Sequence, residues 1–328
     1  MFTSVLCFMA GLTIVSSVAP GEFDPWTHTA RYKIEYSADL SSVAAAAGQA
    51  VRVWIPIPAN SPPQRVLTES IESSLAHRVT TDSHGNRMVY VEYSGPTKAT
   101  ITIRASVQRS PYEGLKDRGA QVGSRDDPRG FLKPQSRIPL DGVVRTIALD
   151  TSRGLTTDAE RIRAMYDYVT SHMRYSKVGK GWGQGDAIWA CTEKYGNCTD
   201  FHSLLMGMSR SQGIPARFLM GFPIPADHAR GEVKGYHCWA ELYDRDHGWK
   251  PVDASEAWKA KRFNDYFGKL PSDRIEFSVG RDLVLSPPQA AAPLNYFIYP
   301  YAEVDGKPVE KVRWRLLYQR LDPRDESH

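Results

Sequence analysis

The segment that most constrains the fold begins at Cys198, which the sequence places at the start of an amphipathic helix. Apolar side chains recur at helical spacing on one face of this helix: Phe201, Leu204, Leu205 and Met208. Asp200, Ser203, Gly207 and Arg210 lie on the opposite side, and Gly213 and Pro215 predict the helix end. The free backbone N–H groups of the first turn favour a thiolate, so we expect a lowered pKa for Cys198.

A base for this thiol is predicted in residues 236–243, which alternate as a β-strand. One face carries His237, Trp239, Glu241 and Tyr243, and the other carries Tyr236, Cys238, Ala240 and Leu242. A turn over 244–248 and a second strand over 249–253 follow. A hairpin centred on Arg245 places His237 opposite Asp253, with Cβ atoms roughly 5 Å apart. Cys198, His237 and Asp253 are therefore predicted to act as nucleophile, base and orienting carboxylate of a catalytic triad.

Four motifs in order carry a family resemblance: Gly196-Asn197-Cys198-Thr199-Asp200-Phe201, Gly213-Ile214-Pro215-Ala216-Arg217, His237-Cys238-Trp239-Ala240-Glu241 and Pro251-Val252-Asp253-Ala254-Ser255. Over about residues 155–260 the chain resembles bacterial transglutaminase-like proteins of the papain-like cysteine superfamily. The resemblance implies an α+β fold in which the nucleophile helix packs on an antiparallel sheet. It also implies acyl transfer from a peptide or carboxamide carbonyl through a thioester, with either water or an amine as acceptor and no cofactor.

Several other residues in or near these motifs each allow two interpretations. Eukaryotic transglutaminases stabilise the oxyanion with an upstream tryptophan indole, so Trp182 and Trp189 are candidates beside the Cys198 N–H, although buried packing also accounts for them. Trp239 either shields the His237–Asp253 pair and lines the substrate site or simply packs. Glu241 is either a substrate contact or a solvated strand charge. Arg217 is expected to pair with a carboxylate of a neighbouring element.

Rival functions are a metal site and a binding module. Cys198 and His202 are four residues apart on one helix face, but His237 and Cys238 point to opposite strand faces, and the chain has no Cys-x-x-Cys or His-Glu-x-x-His motif. We therefore predict no metal, and no calcium dependence because no matching calcium loop is present. A non-catalytic peptide-binding or envelope scaffold protein remains the alternative to an enzyme.

Residues 1–19 resemble an export signal, with an apolar run from Val5 to Val15 before Ser17-Val18-Ala19. We predict a periplasmic or secreted protein, with an uncleaved N-terminal anchor as the alternative and no other membrane span.

Once the signal segment is removed, Cys191 and Cys238 are the only possible disulfide pair beside a free Cys198. The alternative is two buried thiols. The net charge of +4 is modest and no basic stretch interleaves with aromatic residues, so no nucleic-acid partner is expected. A peptide or protein substrate is expected, and the oligomeric state is not predicted.

The domain organisation follows from composition and periodicity. Residues 27–110 are predicted to form a small all-β sandwich-like domain, with a hairpin turn at Ser83-His84-Gly85-Asn86. Residues 111–136 are a linker, and residues 137–275 form the catalytic domain, whose first capping box is Thr157-Asp158-Ala159-Glu160. In residues 276–328, strands over 296–304 and 309–318 are predicted to form a hairpin around 305–308. That hairpin either extends the catalytic sheet or joins the β domain.

Overall fold

The computed structural model describes residues 23–114 and 127–321. The predicted signal at 1–19 and the middle of the predicted linker at 115–126 lie outside these residues. In chain order the strands are Ala30–Asp39 (β1), Ala50–Pro56 (β2), Gln64–Glu72 (β3), His77–Thr81 (β4), Arg87–Ser94 (β5), Thr100–Arg109 (β6), Arg174–Tyr175 (β7), Tyr195–Gly196 (β8), Ala216–Pro223 (β9), Arg230–Val233 (β10), His237–Asp244 (β11), Gly248–Val252 (β12), Arg274–Val279 (β13), Tyr301–Val304 (β14), Lys307–Pro308 (β15) and Arg313–Leu321 (β16). The α-helices are Gly142–Thr151 (α1), Asp158–His172 (α2), Ala187–Glu193 (α3), Cys198–Ser211 (α4) and Ala254–Ala260 (α5).

The β part consists of two antiparallel sheets, as the alternating sequence predicts. One sheet has the strand order β10-β16-β1-β6-β3 and the other β15-β14-β2-β5-β4. Inward residues of both sheets, such as Ile34 and Ile103 in the first and Val53 and Val91 in the second, share one hydrophobic cluster. The sandwich therefore forms because alternate apolar side chains of each strand turn to the same side.

The C-terminal strands belong to the β part and not to the catalytic sheet. Strand β14 pairs with β2 in one sheet, whereas β16 pairs with β1 and β10 in the other. The predicted hairpin between 296–304 and 309–318 is therefore wrong. The return strand β15 pairs with β14 over only two residues, and the chain then crosses to the other sheet. Pairing with β1 buries Leu316 and Tyr318 of β16. As a hairpin partner of β14, the same strand would belong to the other sheet.

Helix α4 lies at the centre of the α+β core. It packs against α1, α2, α3 and α5 and against β9 and β11 of the sheet β12-β11-β9-β13. Every residue from Cys198 to Ser211 is buried, including the side predicted to be polar. On that side a Cβ at Gly207 would lie 3.0 Å from Val144 of α1, so the glycine permits close helix packing. The surrounding elements thus hold the first turn of α4 from several directions.

Two predicted helix starts are confirmed. The Thr157 hydroxyl accepts a hydrogen bond from the backbone N–H of Glu160, and the Glu160 carboxylate accepts one from the backbone N–H of Thr157. Asn197 and Asp200 form the same reciprocal arrangement at α4. Each box satisfies backbone donors that a helix start otherwise leaves free.

Candidate functional site

Cys198 occupies the first position of α4, as predicted. The Asn197 side chain caps the helix by accepting from the Thr199 N–H at 2.9 Å, and the Asp200 carboxylate accepts from the Asn197 N–H at 2.9 Å. Cys198 is only 3% exposed. Its position is therefore set by the reciprocal cap that Asn197 and Asp200 form.

His237 and Asp253 are in direct contact. His237 Nε2 lies 2.6 Å from Asp253 Oδ2, and both side chains are buried. The hairpin prediction that led to this pair had the wrong register. The Asp244–Gly248 pair closes the turn, which centres the hairpin on Asp246.

Asp253 therefore does not sit opposite His237 on a neighbouring strand. It lies just beyond β12 as the N-cap of α5, and its side chain reaches His237 from there. Asp253 Oδ1 accepts from the Glu256 N–H and from the Ser255 hydroxyl, both at 3.0 Å. The capping bonds leave Oδ2 directed at the histidine.

His237 and Cys238 both act on the Cys198 thiol, and both lower its pKa. Because Asp253 holds Nε2 of His237, Nδ1 is the ring nitrogen left for the thiol. Burial raises the pKa of Cys198, but its hydrogen bonds to Cys238 and His237 and the imidazole charge more than offset burial, so the pKa is well below its usual value. Burial lowers the pKa of His237, and Asp253 outweighs this effect and raises the pKa to about 10. The two shifts favour a thiolate–imidazolium pair.

Arg274 of β13 is a site residue that the sequence analysis missed. Its Nη1 donates to Asp253 Oδ2 at 2.9 Å, so the carboxylate lies between two cationic partners. Burial raises the pKa of Asp253, but His237 and then Arg274 hold it well below its usual value. The carboxylate consequently stays ionised in a buried site.

His202 was considered only as a metal ligand, and the structure gives it other contacts. Its Nδ1 lies 2.7 Å from the Cys198 carbonyl oxygen, and its Nε2 accepts from the Ala254 N–H at 3.2 Å. The ring is fully buried and joins the backbone of α4 to the start of α5. Among the described residues, no group of three or more His, Cys, Asp or Glu side chains is placed to hold a metal ion.

A glycine-rich loop at residues 179–186 packs against the first turn of α4. The Asp200 carboxylate accepts from the backbone N–H of Gly183 at 2.6 Å and of Gly185 at 2.9 Å. Gly185 has φ +61°, and a Cβ there would lie 2.6 Å from Thr199. Glycine is therefore required for the loop to lie this close to the helix.

This loop and α3 carry the two tryptophans named as oxyanion donors. The indole N–H of Trp182 donates to the Gly179 carbonyl at 3.2 Å, within its own loop. The Trp189 ring packs edge-on against Tyr195 with centroids 5.1 Å apart. Their part in oxyanion stabilisation stays a prediction.

Glu241 is neither solvated nor free for substrate. It is buried and paired with Arg217, whose Nε donates to Glu241 Oε2 at 2.7 Å. The expectation that Arg217 pairs with a carboxylate of a neighbouring element is confirmed. The Trp239 ring is fully buried, 6.2 Å from the His237 ring, with the guanidinium of Arg274 5.2 Å from its centroid. Trp239 therefore packs close to both the histidine and Arg274.

The possible disulfide between Cys191 and Cys238 is not formed, and both residues are free thiols. Cys238 Sγ lies 3.6 Å from His202 Nδ1 and 3.9 Å from the Thr199 hydroxyl. Cys191 lies on α3, where burial and then the charge of Asp186 raise its pKa to about 11. The alternative, two buried thiols, is what the structure has, with the Cys238 strand β11 packed on α4.

Comparison with known proteins supports this architecture. A family model described as the transglutaminase-like superfamily matches residues 145–254. An uncharacterized protein of Haemophilus influenzae is 24% identical over 321 residues, which cover 85% of this chain and 87% of that protein. The uncharacterized protein YebA of Bacillus subtilis is 23% identical over 175 residues, which cover 48% of this chain and 23% of YebA.

A solved structure gives the same fold. The crystal structure of a candidate cysteine protease from Cytophaga hutchinsonii superposes with a TM-score of 0.61 at 16% identity, covering 90% of this chain and 92% of that one. No helix within residues 23–114 and 127–321 has the length and apolar character needed to cross a membrane. The match to the transglutaminase-like superfamily model therefore spans Cys198, His237 and Asp253.

Proposed function

We propose that this protein is a cysteine-dependent acyl-transfer enzyme that acts on peptide or carboxamide carbonyls through a thioester at Cys198. The observation that carries the proposal is the 2.6 Å contact between His237 Nε2 and Asp253 Oδ2, together with a thiol at the start of α4 whose pKa His237 lowers. A low thiol pKa beside a raised histidine pKa supplies a nucleophile and a proton donor at neutral pH.

The reaction then has two steps. The Cys198 thiolate attacks the carbonyl carbon, and a sulfur–carbon bond forms. The imidazolium of His237 gives its proton to the departing amine as the carbon–nitrogen bond breaks. In the second step neutral His237 takes a proton from the acceptor, which attacks the thioester and releases Cys198. Asp253 keeps the ring oriented and stabilises its charge throughout.

The oxyanion is placed at the start of α4. The Cys198 backbone N–H lies at the first helical position, where no intrahelical acceptor is available. Trp182 and Trp189 are the candidates for a second donor. Trp182→Phe and Trp189→Phe each keep an aromatic side chain without the indole N–H, and the variant that lacks the true donor should lose about 10²-fold or more in kcat.

Water is the more abundant acceptor in dilute solution, so hydrolysis is expected to exceed transfer to amines. The signal-like segment at 1–19 supports action on peptides or proteins in the periplasm or outside the cell. Intact mass of the protein recovered from the envelope fraction of its host tests this location, and a cytosolic protein carrying residues 1–19 contradicts it.

The test is to incubate the purified protein with a peptide library and a primary amine, quench in acid, and measure intact mass. An acyl adduct on Cys198 identifies the donor, and the released products show whether water or amine was the acceptor. Cys198→Ala should form no adduct, whereas Cys191→Ala is the matched control because Cys191 lies on α3, outside the proposed triad. Adducts that persist in Cys198→Ala overturn the proposal. A non-catalytic binding protein is favoured if no peptide forms an adduct and Cys198 is alkylated no faster than Cys191.

A further inference from the structure

We propose that His202 is a positioning residue for this reaction: its neutral ring joins the backbone of the nucleophile Cys198 to the backbone that follows Asp253. The inference rests on the proposed function, since it concerns the alignment of the same three side chains. His202 touches neither the reacting sulfur nor the substrate carbonyl in this scheme and acts through its two neighbours.

The hydrogen bonds define the protonation state of the ring. The Ala254 N–H donates to Nε2, so Nε2 presents its lone pair and carries no proton. Nδ1 therefore bears the proton and donates to the Cys198 carbonyl at 2.7 Å. Both nitrogens are satisfied by a neutral ring, and burial lowers the pKa of His202, which keeps it neutral.

The neutral state also explains the arrangement of Asp253. His202 Nε2 lies 3.7 Å from Asp253 Oδ1 but has no proton to donate. Asp253 Oδ2 consequently keeps His237 and Arg274 as its charged partners. A cationic ring at position 202 would draw the carboxylate away from His237 and repel the imidazolium.

The bonds of His202 connect two elements whose spacing decides the alignment. Cys198 begins α4, and Ala254 begins α5 directly after the N-cap Asp253. Because one rigid ring spans both, a shift of α4 relative to α5 must break one of its two bonds. A displacement of about 1 Å at a reacting centre is enough to cost on the order of 10²-fold in rate.

Two substitutions separate the two bonds. The side-chain amide of Asn places a donor roughly where Nδ1 stands, and the longer Gln places an acceptor roughly where Nε2 stands. His202→Asn should keep the bond to Cys198 and lose the one to Ala254, and His202→Gln should do the reverse. We expect each variant to slow acyl-enzyme formation about 10-fold or more, with KM unchanged, while thermal unfolding stays cooperative.

The pH dependence of Cys198 alkylation by iodoacetamide is the readout that a purely structural role would not move. In His202→Asn the freed Ala254 N–H lies beside Asp253 and competes with His237 for its charge. The imidazolium is then held less firmly and lowers the pKa of Cys198 less, so the pH at which alkylation of Cys198 sets in should rise by more than half a unit. His202→Gln should retain the wild-type profile. The other ionisable groups acting on the pair are unchanged in both variants: Cys238, Glu256, Arg274, Tyr175 and Tyr236.

The wild-type protein supplies a test that needs no variant to fold. Nitrogen-15 NMR of labelled histidine should show His202 as the neutral Nδ1–H tautomer across the neutral pH range. An Nε2–H tautomer or a protonated ring overturns the inference, as do variants with wild-type acylation and wild-type alkylation profiles. Failure of the proposed function looks different, because wild-type protein would then form no acyl adduct while the histidine spectrum and alkylation profile are still measurable.

Discussion

Asp253→Asn removes the charge that raises the pKa of His237 while it keeps the cap of α5. Asn and Asp are equally good N-caps, so its amide oxygen can still accept from the Glu256 N–H. That bond turns the amide NH₂ toward His237 Nε2, which then meets a donor in place of a carboxylate. The variant should therefore fold with α5 intact and with a histidine that is no longer held as imidazolium.

The magnitude follows from the pKa of His237, about 10 against a usual 6.5. This difference corresponds to roughly 5 kcal/mol in favour of the charged ring. Burial opposes that charge, and Asp253 is the largest influence that raises the pKa. Without it, we expect the pKa of His237 to fall to 6.5 or lower and acyl-enzyme formation at pH 7 to drop on the order of 10³-fold, or ~4 kcal/mol.

The assay is the rate of Cys198 alkylation by iodoacetamide between pH 4 and pH 10, followed by peptide mapping. In the wild type the thiolate persists well below the usual cysteine pKa, so alkylation stays fast as the pH falls through neutrality. In Asp253→Asn the thiol loses its imidazolium partner, and its burial raises the pKa, so alkylation should require alkaline pH.

Glu256→Gln is the matched control. The Glu256 carboxylate lies 3.7 Å from His237 Nε2 and is partly exposed. The substitution therefore removes one negative charge near the histidine without breaking the His237–Asp253 bond. We expect Glu256→Gln to change the rate of acyl-enzyme formation less than 10-fold. Equal effects of the two substitutions, or an unshifted profile in Asp253→Asn, would refute the reasoning.

Two further predictions concern the support of the site. Arg217→Met removes the partner of the buried Glu241 and should lower the free energy of unfolding in urea by about 3–5 kcal/mol. Adding Glu241→Leu should recover most of this loss. Additive losses from the two substitutions would contradict a direct pair. Gly185→Ala adds a Cβ 2.6 Å from Thr199 at φ +61° and should lower stability by about 1–3 kcal/mol and slow acylation. Gly154→Ala, at φ +79° with no atom within 4 Å, is its control, and equal effects would show that backbone strain alone matters.

The parts of the site that are encoded locally were predictable from the sequence. The helix start at Cys198 follows from its cap and apolar spacing, and His237 and Asp253 are brought together by one short hairpin. The partners were right although the register was not, because Asp253 reaches His237 from a helix cap. The turn is centred on Asp246 by bonds from the Asp244 side chain, which alternation of apolar residues does not reveal.

The residues that the sequence analysis missed act over long separations. Arg274 reaches Asp253 from the far edge of the catalytic sheet, and nothing in its local sequence marks it. His202 did carry a signal, since its four-residue spacing from Cys198 suits a side-chain bond to the Cys198 carbonyl as well as metal ligation. The pairing of β16 with β1 was likewise unpredictable, because strand alternation gives the buried face but not the partner.

The most direct test of the central claim is the site of modification at acidic pH. Substoichiometric iodoacetamide at pH 6, followed by peptide mapping, compares Cys198 with Cys191 and Cys238 in the same molecule. The pKa of Cys191 is raised by burial to about 11 and that of Cys238 is raised well above its usual value, so both should stay unmodified while Cys198 is labelled. Equal labelling of the three thiols, or labelling of either other cysteine before Cys198, would contradict a nucleophile at this position.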